Sequence, residues 1–552
     1  MLSRIAVLVC LLASAPTLAQ SVTVYEQGKV FTSRTDVPEV EAVAVREGRV
    51  IATGSNHTLR TLYPNATRVS LRGRRVVPAL VDAHAHVAPL ALPDWLVNAP
   101  DFVPAPGPSA DEVVALATAR AAIAPPGTPI LAVVGMAWYA GLEGRAPRDV
   151  LDAVSTQHPV IAVDWTGHGL SMNSQALAAS GFSEGMADPH GGRMGRDATG
   201  RLTGTVQEMA AIPTFRFLSG LLPRELYVGA YAAYAQASLQ MGFGAVFDIP
   251  FVLSDADTRW VISQQTTRLK YYQTCFVDSP TKLCAPDPID GVVRRKIVGD
   301  GGPNDCTTHI SVPYLAPDTC PAAVAPWYGL QDVSDADIDF QVQDVRTRGG
   351  LLMFHAVGDA AVAQLLRRVV AADPLNTTHG RITLEHGDLM TPAQVSEVAG
   401  LGMPVVQNPL HLVAVAAISA PRMPASVLEH AEPLRSLLDA GILLALGEDA
   451  FGAPTSPWTS MAIATTHPMQ PTEAITRAQY LRAYTAGSHR ARLTGHTGTL
   501  TAGQPASFAV LSQDVLDEVA VPASALAETT SLLTVVDGQV AYSTGALVPA
   551  TP

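Results

Sequence analysis

The 552-residue chain has few cysteines, few aromatic side chains and few charges. Only 15% of its residues are charged, and 36 Lys and Arg stand against 49 Asp and Glu, which gives a formal net charge of −13. This acidic balance argues against a nucleic-acid partner, because contacts to phosphates need a basic surface. Apolar residues make up 48% of the chain, which excludes disorder and coiled coil for most of its length.

Long apolar runs are also scarce. Beyond the N-terminus, no stretch reaches the roughly 18 uninterrupted apolar residues of a membrane-spanning helix, so we expect no membrane segment in the mature chain. At the N-terminus, Arg4 precedes an apolar run over Ile5–Ala13, and small residues follow as far as Ala19. This pattern predicts a signal peptide over residues 1–19 and export to the periplasm or the exterior. A buried first helix or a membrane anchor is the alternative.

The mature chain keeps four cysteines, which lie close together in the sequence. An oxidising compartment favours disulfides between them. Of the three possible pairings, we predict Cys275–Cys284 and Cys306–Cys320. A zinc site made of four thiolates is the alternative, although the spacing lacks the close cysteine pairs that such sites use.

Both ends of the chain have the pattern of β structure, and the middle alternates strands with helices. We predict an α/β fold: a (β/α)8 TIM-like barrel with insertions over residues 78–496, and a small β-sandwich formed by residues 20–77 and 497–552. A doubly wound sheet is the alternative. Ten candidate strands exceed the eight of a barrel, so at least two belong to insertions. The candidate strands are Ala79–Asp82, Ile130–Val134, Val160–Asp164, Ala245–Ile249, Leu269–Thr274, Val292–Val298, Leu351–His355, Ile382–His386, Pro404–Asn408 and Ile442–Leu446. The candidate helices are Ala110–Ala122, Arg224–Met241, Asp337–Arg348, Ala360–Ala372, Thr391–Ala399, Val427–Ala440 and Thr476–Arg490.

Residues that bind metals or accept protons lie at the ends of several candidate strands. His84 and His86 close the first strand, and residues at i and i+2 face the same side, so both imidazoles can reach one ion. Lys296 lies inside an apolar strand, where an unpaired ammonium would be costly. Further strands end at His355, His386 and Asp449. Because barrel enzymes place their active sites at the carboxyl ends of the strands, these residues together indicate one site.

These residues, in this order along the chain, resemble the amidohydrolase superfamily. The resemblance is strongest to the branch called amidohydrolase family 3, which includes N-substituted formamide deformylase-like proteins. The resemblance covers nearly the whole mature chain. The segments that carry it are Val77–His86, Lys296–Gly301, His355–Asp359, Glu385–His386, Gly447–Ala450, Ala483–Gly487 and Gly503–Phe508. The sequence departs from the branch at Ala79, Ala360, Gly387, Asp388 and Glu448. None of these is a predicted ligand, but several flank ligands, so the substrate does not carry over.

The resemblance implies a centre with a pair of divalent ions. It implies that His84 and His86 bind the more buried ion, that His355 and His386 bind the second, and that a carboxylated Lys296 bridges them. It also implies that Asp449 binds metal and takes a proton from the attacking water. Zinc suits these ligands, but other divalent ions remain open.

Residues that contact the substrate are harder to predict. The resemblance points to His168, in a Gly-His-Gly segment, and to Glu208. Trp138, Trp165 and Trp458 follow candidate strands and are candidate lining residues of the pocket, although most Trp side chains pack in cores.

We therefore predict an exported, metal-dependent hydrolase that cleaves a small amide-type C–N bond other than a peptide bond. A deaminase or a cyclic-amide hydrolase of the same superfamily is the alternative, and a barrel that binds small molecules without turnover is a second one. Small-molecule substrates are the expected partners, without nucleic acid or membrane, and a homodimer would be ordinary for such a chain.

Overall fold

A computed structural model describes residues 21–90, 93–98, 107–316, 320, 324–414, 416 and 419–547. The predicted signal peptide, residues 1–19, lies outside the described residues. Within them, no helix combines the length and the apolar character needed to cross a membrane.

The strands alternate with helices through the middle of the chain, which confirms the α/β fold. The strands are β1 Thr23–Glu26, β2 Lys29–Phe31, β3 Glu39–Val40, β4 Ala42–Arg46, β5 Arg49–Gly54, β6 Thr67–Ser70, β7 Arg75–Pro78, β8 Leu80–Ala85, β9 Ile130–Val134, β10 Val160–Asp164, β11 Gly169–Met172, β12 Gly192–Arg196, β13 Leu202–Glu208, β14 Phe243–Asp248, β15 Lys270–Gln273, β16 Cys275–Phe276, β17 Arg294–Val298, β18 Leu351–Ala356, β19 Ile382–His386, β20 Val405–Gln407, β21 Leu444–Leu446, β22 Phe508–Leu511, β23 Ser531–Val536 and β24 Gln539–Ser543.

Six of the seven predicted helices are present and one is broken in two, and the structure adds several helices that were not predicted. The helices are α1 Asn56–Leu62, α2 Ala110–Ala121, α3 Met136–Gly141, α4 Pro147–Asp152, α5 Ser174–Ala179, α6 Ile212–Gly220, α7 Arg224–Met241, α8 Asp255–Ser263, α9 Asp335–Arg348, α10 Asp359–Ala372, α11 Pro392–Leu401, α12 His411–Ala414, α13 Ala425–Leu428, α14 Leu434–Asp439, α15 Pro457–Thr466, α16 Arg477–Arg482 and α17 Ser488–Ala491. The prediction of one helix over Val427–Ala440 is wrong. Pro433 lacks an amide hydrogen and Glu432 has a φ of 44°, so the chain breaks between α13 and α14.

Strands from both ends of the chain share one sheet. Its order is β24-β23-β22-β7-β2-β3, and β22 pairs antiparallel with β7. A second sheet has the order β5-β4-β1-β6. Val43 of this sheet belongs to the same apolar cluster as Val76 and Phe508 of the first sheet. The two termini therefore fold against a common core.

The middle of the chain holds two parallel sheets with the orders β15-β14-β8 and β16-β17-β18-β19-β20-β21. Only Thr274 separates β15 from β16, so the chain runs directly from one sheet into the other. At the far edge, the Asp449 amide donates to the His84 carbonyl at 2.8 Å, and the His86 amide donates to the Ala450 carbonyl at 3.0 Å. Strand pairing thus gives two sheets whose outer ends contact each other, and no continuous closed ladder among the described strands.

Two of the ten predicted strands belong to a separate layer. β9 and β10 lie in a five-stranded sheet with the order β12-β13-β11-β10-β9. This sheet has its own apolar cluster, which includes Ile130, Trp138 and Val160. It is inserted between β8 and β14 in the chain, as the excess of predicted strands required. Glu208 ends β13, at the end opposite to the turn between β12 and β13.

Candidate metal centre

The carboxyl ends of the parallel strands bring the predicted ligands together. The register pairs Val298 with His355 and Ala356 with His386, so the ends of β17, β18 and β19 lie side by side. A cavity of about 560 Å³ opens at these ends. The predicted ligands that line it are His84, His86, Lys296, His355 and Asp449. The ring of His386 lies next to it, 4.8 Å from the His84 ring and 4.4 Å from the His355 ring, measured between centroids.

Asp449 lies at the middle of this group. Its Oδ1 is 3.0 Å from His86 Nε2 and 3.5 Å from His84 Nε2. Its Oδ2 is 3.3 Å from His411 Nε2 and 3.9 Å from His386 Nε2. One carboxylate therefore faces two sets of imidazoles from its two oxygens.

The donor atoms suit divalent metal ions. His84, His86 and Asp449 form one group whose ligand atoms lie within 4.8 Å of one another, and His386, His411 and Asp449 form another. Among the described residues, Nε2 of His355 and Nε2 of His386 are buried without a hydrogen-bond partner. Buried imidazole nitrogens in this state are available as ligands, and imidazole with carboxylate is a donor set that zinc prefers.

Hydrogen bonds behind the ligands fix their orientation. Glu385 Oε2 accepts from His84 Nδ1 at 2.9 Å, and the carbonyl of Ile249 accepts from His86 Nδ1 at 2.7 Å. Both acceptors require a proton on Nδ1, so Nε2 of each ring is left with a lone pair toward the cavity. The guanidinium of Arg492 in turn donates to both oxygens of Glu385, at 2.8 and 2.6 Å.

Burial and neighbouring charges shift the pKa values of the predicted metal ligands toward the protonation states that bind metal. Burial, assisted by Lys296, lowers the pKa of His84 to about 4, and burial holds the pKa values of His355 and His386 well below their ordinary value. Burial also lowers the pKa of Lys296 to about 8. Burial alone would raise the pKa of Asp449, but the adjacent imidazoles hold it well below its ordinary value. The site therefore favours neutral imidazoles beside an ionised carboxylate.

The backbone at the site is strained at two ligands. His386 has a φ of 70° and Asp449 has a φ of 53°, a region that residues with a Cβ rarely adopt. Gly447 allows the close approach of β21 to β8, because a Cβ there would lie 2.6 Å from the His84 amide nitrogen. Strain of this kind concentrates at functional sites, where the surrounding fold enforces it.

His168 and Glu208 form the polar side of the cavity. His168 Nδ1 lies 2.7 Å from Glu208 Oε2, and both residues line the cavity. Burial would lower the pKa of His168, but the adjacent Glu208 raises it to about 9, which favours the protonated imidazole. Apolar residues also line the cavity. They are Ile212, Phe215, Phe251, Phe276 and Phe451.

The three tryptophans have different environments. Trp165 lines a second cavity of about 470 Å³, which shares His168, His355 and Asp449 with the first. Trp138 is fully buried, and its indole nitrogen donates to Ser171 Oγ at 2.9 Å. Trp458 is also fully buried and donates to the Met241 carbonyl at 3.1 Å. Neither Trp138 nor Trp458 is among the described residues that line the two cavities. Of the three tryptophans, the structure therefore brings Trp165 to the site.

Sequence reasoning missed His411 and the supporting role of Glu385. His411 begins α12, three residues after Asn408, and it contacts both Asp449 and Asp388. The signal was present, because a candidate strand ends at Asn408 and polar residues after strand ends are the rule at this site. Glu385 is next to His386 on β19 and faces the opposite side of the strand.

The cysteines lie in the two pairs expected from the sequence. The sulfur atoms of Cys275 and Cys284 are 2.00 Å apart, and those of Cys306 and Cys320 are 2.03 Å apart. Disulfide bonding in these pairs leaves no thiolates for the alternative zinc site. In the sequence, one bridge precedes β17, which carries Lys296, and the other follows it.

Comparison with known proteins agrees with this geometry. A model of the amidohydrolase family matches residues 68–542. The chain is 26% identical to an N-substituted formamide deformylase of Arthrobacter pascens over 542 residues, which cover 91% of this chain and 95% of that protein. It is 25% identical to Protein LONG AFTER FAR-RED 3 of Arabidopsis thaliana, with 90% and 88% covered.

The fold agrees as well. The crystal structure of an uncharacterized metal-dependent hydrolase from Pyrococcus furiosus is similar with a TM-score of 0.66 and 20% identity, and the match covers 90% of this chain and all of that one (100%). The family match extends over most of the chain and includes every strand end that carries a predicted ligand. The chain belongs to the amidohydrolase family, and it is a metal-dependent hydrolase that acts on carbon–nitrogen bonds other than peptide bonds.

Proposed function

We propose that the protein is an exported amidohydrolase that cleaves a small amide by means of a pair of divalent ions, zinc by preference, held by His84, His86, His355, His386, Asp449 and a carboxylated Lys296. The observation that carries this proposal is the position of Asp449, whose two oxygens face two groups of imidazoles. A carboxylate in this position can serve both halves of a paired metal site.

Lys296 supports the bridged form of the site. Its amine is fully buried among the ligands and lies 3.3 Å from His84 Nε2. Because burial lowers its pKa to about 8, a substantial fraction is neutral near that pH, and only a neutral amine can add CO₂. Carboxylation would convert a buried cation into an anionic oxygen ligand and remove the cost of the charge.

The proposed reaction is hydrolysis. Bound divalent ions supply a water of lowered pKa and a polarised carbonyl. Asp449 accepts the proton of the attacking water at a carboxylate oxygen and delivers it to the departing nitrogen. The C–N bond breaks, the water oxygen bonds to the carbonyl carbon, and the products are a carboxylic acid and an amine. Lys296 as a bridging ligand argues against the single-metal deaminase alternative.

The walls of the cavity support a substrate with one apolar arm. Four phenylalanines and Ile212 line the cavity together with the His168–Glu208 pair. This lining suits a small amide that carries an aromatic or branched aliphatic group. The relative from Arthrobacter pascens is named for N-substituted formamides, which belong to this class.

The parallel strands and the terminal sheets support a closed barrel and a β-sandwich. We propose that β8, β14, β15 with β16, and β17 to β21 form one eight-stranded barrel, joined at the contact between the ends of β21 and β8. We also propose that the two terminal sheets form a β-sandwich over their common core. Export is supported by the two cysteine pairs, since disulfides persist in oxidising compartments.

Replacement of the proposed base tests this function. Asp449→Asn should lower kcat against formamides and acyl amides by about 1,000-fold or more while most of the bound metal remains, since general base catalysis contributes 10²–10⁴-fold. Asp439→Asn, an exposed change of the same type, should leave the rate unchanged. Hydrolysis at the wild-type rate in Asp449→Asn would contradict the assignment of the base.

A further inference from the structure

A third group of ligand-type side chains lies beside the proposed centre. It shares His411 with the group of His386 and Asp449 but contains none of the predicted ligands. Asp388, His411 and Glu432 each offer one donor atom, and these atoms lie within 4.8 Å of one another. They come from three places in the chain: the loop after β19, the start of α12 and the break between α13 and α14. Two carboxylates and one imidazole form a donor set that zinc and manganese accept.

The carboxylates of this group lack the hydrogen bonds that buried acids usually accept. Glu432 is 0% exposed and Asp388 is 1% exposed. In the described part of the chain, neither side-chain oxygen of Glu432 has a hydrogen-bond partner, and Oδ1 of Asp388 has none either. Each such buried acceptor is costly unless a cation or a proton compensates it. Glu432 thus brings two such acceptors to the group and Asp388 brings one, and a bound cation would compensate them.

Backbone contacts hold the two acids together. The Glu432 amide donates to the Asp388 carbonyl at 2.6 Å, and His467 Nε2 donates to the Glu432 carbonyl at 2.9 Å. Glu432 also keeps a φ of 44°, which costs free energy for a residue with a side chain. The fold thus holds two buried carboxyl groups close together, an arrangement that a bound cation would make favourable.

An ion can enter this group from the active-site side. The cavity of about 470 Å³ that reaches Asp449 and His168 is also lined by Asp388 and His411. Glu432 is fully buried and is not among the residues that line this cavity. Two members of the group are therefore reached from the cavity, and the third is enclosed by protein.

We propose that Asp388, His411 and Glu432 bind a divalent cation of the zinc–manganese class, in addition to the proposed pair at Asp449. His411 would ligate through Nδ1, and the ion would replace the proton that this atom donates to Asp388 Oδ2 at 2.9 Å. The ring proton is then confined to Nε2, which faces Asp449 Oδ2 at 3.3 Å. The additional ion thereby fixes the tautomer in which His411 donates a hydrogen bond to Asp449.

Metal content and anomalous diffraction test the site. Wild type and Glu432→Gln are loaded with Mn²⁺ or Zn²⁺, dialysed and analysed for metal per chain. The variant should hold about one ion fewer, because removal of a charged ligand strongly weakens a three-ligand site. Glu429→Gln, an exposed change three residues earlier, should hold the wild-type amount. An anomalous peak between Asp388 and Glu432 should appear in wild-type crystals and disappear in the variant.

Equal metal content in wild type and Glu432→Gln, with no peak at these residues, would overturn the proposal and mean that the two acids share a proton. If Glu432→Gln does not fold, Asp388→Asn gives the same test from the other carboxylate. Peaks near His84 and His386 report on the proposed function and not on this site. The two proposals can therefore fail separately.

Discussion

Replacement of Glu385 by Gln should weaken metal binding without any change to a predicted ligand. Glu385 is fully buried and orients His84 through a 2.9 Å hydrogen bond, while Arg492 donates to both of its oxygens. Loss of one partner of a buried ion pair costs about 3–5 kcal/mol. Arg492 keeps its hydrogen bonds to the Ala83 carbonyl, at 2.9 and 2.6 Å, so we expect the lower end, about 3 kcal/mol.

The loss of orientation at His84 should also reduce the affinity for metal. Changes to groups that orient a metal-binding histidine reduce metal affinity by about 10–100-fold. Urea denaturation of the metal-free protein measures the stability loss, and competition with a chelator measures the affinity. Glu397→Gln, on the exposed face of α11, is the matched control and should change neither quantity. A folded Glu385→Gln protein whose metal affinity stays within about twofold of wild type would refute the reasoning.

Three further predictions concern other parts of the chain. Lys296→Ala should lose about one ion per chain and most of its activity, since two-metal sites share their bridging ligand; full metal content at the wild-type rate would contradict the bridge. Gly447→Ala should lower stability by about 1–3 kcal/mol and reduce metal content, because its Cβ would meet the His84 backbone at 2.6 Å; an unchanged urea midpoint would refute this. The Arg60 guanidinium holds the pKa of Glu26 below its ordinary value of 4.5, so its stabilisation is present above that pH and is lost as the pH falls through the lower folded pKa. Glu26→Gln should therefore lower the Tm at pH 7 and have a shrinking effect in acid, and a difference that stays constant with pH would argue against the ion pair.

Local patterns predicted the long strands and helices in the middle of the chain and missed many short elements, such as α3 and α5. The strand at Ile382–His386 and the helix at Arg224–Met241 agree with the structure at both ends. In these segments the apolar period and the flanking turn residues act together, so neighbouring residues suffice. The helix expected over Val427–Ala440 is broken at Glu432 and Pro433. Pro433 is a local signal that the prediction overlooked, whereas the hydrogen bond from the Glu432 amide to the Asp388 carbonyl joins residues distant in sequence.

The predicted ligands converge because strand ends of parallel sheets meet at one edge, which a sequence can reveal. The residues that contact these ligands from behind do not lie at strand ends. Arg492 reaches Glu385 from the end of α17, and His411 reaches Asp449 from the start of α12. Such contacts depend on how helices and loops pack over the sheet, and no spacing in the sequence encodes them. The burial of Trp138 and Trp458 could not be predicted for the same reason, since tertiary packing sets their depth in the core.

Anomalous diffraction from crystals of zinc-loaded protein, grown with bicarbonate, tests the central claim most directly. We predict a pair of peaks, one at His84 and His86 and one at His355 and His386, with continuous density for a carboxylated Lys296 between them. A single peak beside an unmodified Lys296, or no peak at these histidines after loading, would contradict the account.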